Sequence, residues 1–258
     1  MLSLFPKCRS YMFMTAAVSI AVFAFLVIKG MSLPACLILI FGLFAARFVA
    51  EYMGLKQHQK ILAILYYGKD PVSFIQVYEN LVSGKKLVDN IRFTMQSHLV
   101  NGYIAAGEFD KALESLDHMP KLAAVNEAYG KSLIAGNRCL VYCMQDDLEN
   151  AERYYDEFIS YGESITRKQS RSSYIESKAT LTTRIKMLKG KSSKQDAYDL
   201  RERLKSQITP YQKAEIQYLL GRVYLVLKEN AFAQNCLKEA AEAGDHLYVA
   251  RRAKEYLK

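Results

Sequence analysis

The hydrophobic and polar positions divide the chain into an apolar head and an amphipathic body. Residues 11–28 carry no charged side chain, and residues 33–50 are interrupted by Arg47 alone. A helix of about 18 residues is about 27 Å long, which is close to the roughly 30 Å hydrocarbon core of a bilayer. From Lys56 onward, amphipathic stretches of about 12–20 residues are separated by short polar turns, and no stretch alternates as a β-strand does.

The two apolar runs predict a transmembrane hairpin with helices at 11–28 and 33–50. A charge, a glycine and a proline lie between the runs, in the sequence Lys29-Gly-Met-Ser-Leu-Pro34, and this composition is typical of a turn. Arg47 interrupts the second run. Its guanidinium can extend to the lipid headgroups while its aliphatic stem stays in the apolar layer.

Three other interpretations of the apolar head stay open. A cleaved signal peptide has an apolar core of only about 7–15 residues, whereas the first run is longer and a second run follows at once. Leu33-Pro34-Ala35-Cys36 resembles the cleavage box of bacterial lipoproteins, but the residues after Cys36 are apolar as well. Two buried helices of a water-soluble protein would also be apolar. The transmembrane hairpin is favoured because it accounts for both runs.

The basic residues around the head predict its orientation. Lys29 alone lies between the two runs. Lys7 and Arg9 precede the first run, Arg47 lies near the end of the second, and Lys56 and Lys60 follow it. The positive-inside rule then places the N-terminal flank, residues 1–10, and the C-terminus in the cytoplasm. With an all-α body and no eukaryotic targeting signal, the prediction is an integral membrane protein of a bacterial inner membrane.

Composition narrows the class of protein further. The five cysteines form no cluster and the chain has no Asn-x-Ser/Thr acceptor, which argues against a secreted, disulfide-stabilised protein. The net charge is +9, but the body after residue 50 carries 31 basic and 26 acidic residues. That excess is too small to indicate nucleic-acid binding, so no nucleic-acid partner is expected.

Three windows of the body share one spacing of residue types. A small residue or valine is followed by an aromatic residue after three positions, by alanine after twelve, and by a large side chain after sixteen. The residues in this pattern are Val100, Tyr103, Ala112 and Leu116, then Cys139, Tyr142, Ala151 and Tyr155, then Gly221, Tyr224, Ala233 and Leu237. Small residues at such positions allow two helices to approach closely, and a larger side chain there would clash. These twelve residues are therefore predicted to pack the repeat.

This pattern resembles the tetratricopeptide repeat (TPR), a 34-residue unit of helix, turn and helix. The resemblance covers roughly residues 56–258, and further hairpins are predicted at 56–84 and 172–207, with a last helix at 245–257. It implies an all-α fold in which the transmembrane hairpin is followed by an α-solenoid of about five TPR-like helical hairpins and a C-terminal capping helix. An unrelated array of α-hairpins is the alternative.

The resemblance also implies a binding surface, since the first helix of each repeat lines the concave face of such a solenoid. The residues expected on this face are Ser97, His98, Asn101, Asn137, Thr182, Lys186, Lys189, Tyr218 and Arg222. In the family, groove Asn, Lys and Arg residues can hold an extended peptide or a C-terminal carboxylate, so a protein partner or peptide is expected in this groove. A merely solvated face is the alternative. Weak contact of the basic turns with anionic lipid is a further prediction.

The sequence carries no pattern that indicates catalysis. Gly130-Lys131-Ser132 resembles the end of a phosphate-binding loop, but Val125 stands where that loop needs glycine. Cys139 and Cys143 share one helix face without a second pair of ligands, so no metal is expected. The prediction is therefore a membrane-anchored scaffold for protein–protein interactions, with no enzyme activity and no cofactor. A non-catalytic regulatory subunit of a membrane enzyme or transport complex, or a protein that binds anionic lipid or nucleic acid, is the alternative.

Overall fold

A computed structural model describes residues 5–85, 87–123, 126–206 and 208–258. The side chains of residues 6–9 and 32–33 lie outside this description, so Lys7 and Arg9 of the predicted flank are located by their backbone alone. Residues 1–4 of that flank, Lys86, Ala124, Val125, and Gln207 at the end of the predicted hairpin 172–207 lie outside it altogether.

Within the described ranges the chain forms twelve α-helices and no β-strand, which confirms the predicted all-α class. In chain order the helices are α1 (Pro6–Ile28), α2 (Ser32–Tyr66), α3 (Pro71–Val82), α4 (Asp89–Ala106), α5 (Phe109–Asp117), α6 (Glu127–Met144), α7 (Leu148–Glu163), α8 (Lys168–Leu188), α9 (Lys194–Lys205), α10 (Pro210–Val226), α11 (Asn230–Ala241) and α12 (Tyr248–Tyr256).

Two of these helices, α1 and α2, are long and apolar enough to cross a membrane. The candidate spans are Ser10–Ile28, with mean hydropathy 2.3, and Pro34–Tyr66, with mean hydropathy 1.8. A signal sequence near the N-terminus, or the core helix of a water-soluble protein, can meet the same criteria of length and hydropathy. The two helices approach closely, because a Cβ added at Gly42 would lie 2.1 Å from the Ser19 Oγ.

Helix α2 differs in length from its prediction. It continues past residue 50 and through Lys56 to Tyr66, so no new helix begins at Lys56. The charged side chains in this stretch change the polarity of the helix surface but do not interrupt its backbone hydrogen bonds. The break comes after Tyr66, where Lys69 has a φ of 56° and Pro71 begins α3.

The described chain divides into two compact units. The first comprises the residues up to Ala63 together with Asn80–Leu87, and the second comprises Ile64–Glu79 together with Val88–Lys258. The second is called the helical unit below.

Pairs of helices joined by short turns build most of the helical unit. The pairs α4/α5, α6/α7 and α10/α11 each pack tightly along their length. Their turns share one backbone conformation, in which a left-handed residue ends the first helix: Gly107 (φ 78°), Asp146 (φ 61°) and Lys228 (φ 62°). The next residue's N–H donates to the carbonyl five residues earlier, which belongs to Tyr103, Tyr142 or Tyr224. This is a Schellman closure, and it satisfies carbonyl groups at the end of each first helix.

The aligned residues lie in the cores of these pairs. Ala112, Ala151 and Ala233 have no exposed surface at all. Of the other nine, Tyr142 and Tyr155 are half-buried and the rest are buried. The two helices of a pair approach closely where a small residue lies between them. At Gly221 of α10, for example, an added Cβ would lie 2.7 Å from the Leu237 Cγ of α11.

The last helix packs against several earlier helices. α12 contacts α11, α10 and α4. The Tyr248 hydroxyl donates to the Met144 carbonyl at 2.8 Å, and the Arg251 Nη2 donates to the Ala106 carbonyl at 2.7 Å. These bonds satisfy carbonyl groups in the last turns of α6 and α4, which would otherwise lack a partner within their own helices. The C-terminal helix therefore links the first, second and last pairs of the helical unit.

Candidate functional site

Helices α6, α8 and α10 enclose a pocket of about 240 Å³, which we call the inner pocket. Its apolar wall consists of Leu133, Leu140, Phe158, Leu181, Ile216 and Leu219. Its polar wall consists of Asn137, Glu176, Ser177, Thr180, Arg184, Arg203, Gln212 and Glu215. A recess in which apolar side chains and convergent polar groups line one cavity has the composition of a ligand site.

Glycine at position 136 lets an aromatic side chain form part of the wall. A Cβ added there would lie 2.9 Å from the Phe158 Cδ2. Phe158 is 2% exposed, and its ring centroid lies 5.0 Å from that of Tyr174. The sequence of α6 therefore allows an aromatic side chain of α7 to pack against its backbone beside the pocket.

Arg184 is the most deeply buried charge of the inner pocket. The residue is 3% exposed. Its Nη1 donates to the Met144 Sδ at 3.3 Å, a weak acceptor, and its Nη2 lies 4.0 Å from the Glu215 Oε1. Its Nε has no hydrogen-bond partner within the protein. A buried guanidinium with so few acceptors is costly, because its loss of water is poorly compensated.

Glu215, on α10, is the nearest carboxyl group to Arg184. Its side chain is 20% exposed, yet desolvation by the surrounding protein is the largest influence on its pKa and raises it above its usual value. The Arg184 charge and a hydrogen bond from Tyr211 oppose this increase without cancelling it. The pocket environment therefore favours the neutral carboxyl form more than water does.

A second guanidinium lines the inner pocket from α9. The Arg203 Nη1 donates to the Thr180 Oγ1 at 2.8 Å. Arg203 is half-buried, whereas Glu176 and Ser177 in the same wall are exposed. The pocket thus opens to water beside Glu176 and Ser177 and contains Arg184 in its buried part.

The structure places the residues predicted for the concave face in several environments. Asn137 lines the inner pocket. Tyr218 is 2% exposed, and Arg222 donates to the Asp146 carboxylate at 2.7 Å and lies 5.2 Å from the Tyr256 ring centroid. Tyr218 and Arg222 therefore belong to the contact between α10, α12 and the α6–α7 turn.

Ser97 bonds within its own helix, and the other remaining predicted residues contact neighbouring helices. The Lys186 Nζ donates to Asp196 at 2.8 Å, the Thr182 and Tyr155 hydroxyls are 2.7 Å apart, and Lys189 forms an ion pair with Glu152. In α4, the Ser97 hydroxyl donates to the Phe93 carbonyl, the His98 ring lies 5.9 Å from the Tyr78 ring, and the Asn101 amide lies 3.4 Å from the Tyr66 hydroxyl. The structure does not bring these side chains together around the inner pocket.

Sequence reasoning missed Arg184, Arg203 and Glu215. Each of these charged residues lies in an amphipathic stretch, where a charge usually marks the solvated face, and α8 and α9 carry none of the aligned windows. The local sequence gives no signal, because another charged residue lies two positions away in both cases, in Arg184-Ile-Lys186 and in Lys213-Ala-Glu215.

The two cysteines that share one face of α6 lie with their Sγ atoms 4.0 Å apart, and both are buried. A hydrogen bond with Cys143, together with burial, raises the pKa of the Cys139 thiol. In the part of the chain that the structure describes, no three His, Cys, Asp or Glu side chains cluster as metal ligands would. Comparison with family models, with curated proteins and with solved structures finds no match.

Proposed function

We propose that this protein is a membrane-anchored helical-repeat scaffold that binds a protein partner at the cytoplasmic face of a membrane. In this proposal α1 and α2 form the anchor, and the helical unit is a solenoid of TPR-like hairpins. The observation that carries the proposal is the convergence of α6, α8 and α10, each of which is the first helix of a successive pair, on one recess.

Two regularities support the repeat. The left-handed residue recurs in the three tightly packed pairs, and also at Lys69 between α2 and α3 and at Gly190 between α8 and α9. The fully buried alanine recurs in α5, α7 and α11. A shared turn and a shared packing position are expected when one supersecondary unit is used several times.

The exposure of apolar side chains supports the anchor. Only 6% of the most apolar window of α1 and 11% of that of α2 is buried by protein. Large apolar side chains such as Phe41, Phe44 and Phe48 are each at least 70% exposed. Contiguous exposure of this kind is unfavourable in water, and lipid removes the cost. Lys7 and Arg9 precede the first span, and Lys56 and Lys60 lie in the C-terminal half of the second, whereas Lys29 alone lies between the spans. This distribution favours a cytoplasmic location for the helical unit.

A tethered scaffold has a simple physical function. An anchor keeps the helical unit near other membrane proteins, so a partner that is also at the membrane meets it at a raised effective concentration. The mouth of the inner pocket, beside Glu176 and Ser177, is the proposed contact surface, because those side chains are exposed on a helix that also lines the recess.

Site-specific photo-crosslinking in native membranes tests this proposal. A photoreactive amino acid at position 177 should give one adduct of defined mass with a protein partner. The matched control is position 234, because Gln234 is exposed on α11 and does not line the pocket. Adducts at position 234 alone would place the partner on another face. No protein adduct at either position would contradict the scaffold proposal.

A further inference from the structure

We propose that the inner pocket binds a small organic carboxylate with an apolar body, and that Arg184 and Arg203 hold the carboxylate. This inference goes beyond the scaffold proposal, because it assigns the pocket a ligand of its own and does not depend on a protein partner.

The inference rests on two hydrogen-bond donors of Arg184, its Nε and Nη2, which lack an acceptor. The Nε and Nη2 of a guanidinium form one planar edge, which matches the two oxygens of a carboxylate. In Arg184 the Nε has no hydrogen-bond partner, and the carboxylate oxygen paired with its Nη2 is 4.0 Å away, beyond hydrogen-bond distance. Arg184 is only 3% exposed, and it lines the cavity. It therefore lacks the acceptor that a buried donor needs.

The charges of the pocket favour an anion over a cation. Arg184 and Arg203 both line the cavity, and Arg203 uses its Nη1 on a neutral hydroxyl, that of Thr180. Of the two acidic residues in the wall, Glu176 is exposed to water, and desolvation raises the pKa of Glu215. The raised pKa favours the neutral form of Glu215, whereas the two guanidinium groups stay charged.

The apolar side chains and the volume of the pocket indicate the size and polarity of the rest of the ligand. Six apolar side chains line a volume of about 240 Å³. A cavity of about 150 Å³ lined by apolar side chains accommodates benzene. The inner pocket therefore has room for an aromatic ring or a short branched chain joined to a carboxylate, with the ring against Leu133, Phe158 and Leu219 and the carboxylate toward Arg184.

Titration of the full-length chain in detergent micelles with 4-fluorophenylacetate, followed by ¹⁹F NMR, tests this inference. Saturable binding of the carboxylate is expected. The neutral amide of the same compound should bind at least about tenfold more weakly, because it lacks charge-assisted hydrogen bonds. 4-Fluorophenethylamine, a cation with the same ring, should not bind. No saturable carboxylate binding, or equal binding of the amide, would overturn the inference, and preferential binding of the amine would assign the site to Glu215.

Variants locate the binding site. Arg184→Lys keeps the charge but loses the planar edge, so carboxylate affinity should fall at least about tenfold. Arg203→Gln, at a half-buried position, should weaken binding as well and remains informative if the Arg184 variant does not fold. The matched control is Arg252→Gln, which removes a guanidinium from α12 that pairs with Asp146 outside the pocket. Wild-type affinity in both Arg184→Lys and Arg203→Gln would overturn the assignment of the carboxylate to these residues.

Discussion

Ala233→Leu is expected to destabilise the helical unit by about 1–3 kcal/mol. Ala233 is fully buried and belongs to the core cluster that also contains Leu220, Val223 and Tyr224. Leucine adds three carbon atoms where α10 and α11 pack closely, so neighbouring side chains or the backbone must shift. Thermal unfolding of the full-length chain in detergent, followed by near-ultraviolet circular dichroism, should show a lower midpoint.

The matched control for this variant lies on the same helix. Ala231 is exposed, so Ala231→Leu adds the same atoms without adding them to the core. Its midpoint should stay close to that of the wild type, as is usual for surface substitutions. Equal midpoints for wild type and Ala233→Leu would mean that α10 and α11 do not pack in the described register.

Gly162→Ala is expected to destabilise the helical unit, although a glycine-to-alanine change within a helix usually stabilises it. Alanine normally stabilises a helix interior by up to about 1 kcal/mol relative to glycine. At position 162, in the last turn of α7, the added Cβ would lie 1.8 Å from the Tyr174 Cε2. Tyr174 is 4% exposed, and its ring packs against that of Phe158, so it has little room to move. We therefore expect the free energy of unfolding to fall by about 1–3 kcal/mol or more.

A double-variant cycle separates the clash from other effects of this substitution. In a Tyr174→Ala background the ring is absent, so adding Gly162→Ala should no longer destabilise and should raise the unfolding midpoint. The same loss from Gly162→Ala with and without the ring would show that α7 and α8 do not meet at this position.

The features that sequence could predict are those with a simple spacing. The helices of the aligned windows follow from amphipathic periods, and the small residues at positions 112, 151 and 233 follow from the need for close helix contact. The turns at Asp146 and Lys228 were harder to predict. A left-handed conformation is usually signalled by glycine, as at Gly107, and here aspartate and lysine adopt it because the Schellman hydrogen bonds satisfy the helix end.

The features that sequence could not predict depend on long-range contacts. The change of pattern at Lys56 predicted the start of the repeat domain, whereas α2 continues through it to Tyr66 because nothing in that stretch interrupts a helix. Tyr218 and Arg222 were expected on an open face. Instead, Arg222 bonds to Asp146, and both residues contact the Tyr256 ring. Asp146 and Tyr256 are distant in the sequence and lie near only because of tertiary packing.

The candidate site was the least predictable part. Asn137 is the one residue of the nine expected to line a groove that lines the inner pocket. Arg184 and Glu215 are 31 positions apart in the sequence and meet only because α8 packs against α10. A charge buried in this way has the same local sequence as one that faces water.

A pair of C-terminal fusions in a bacterial host tests whether the helical unit is anchored at the cytoplasmic face of a membrane. One fusion after Lys258 carries a fluorescent protein that matures only in the cytoplasm, and the other carries a phosphatase that is active only after export. We expect fluorescence in the membrane fraction and no phosphatase activity. Phosphatase activity without fluorescence would contradict it, and would show instead that the apolar head exports the helical unit.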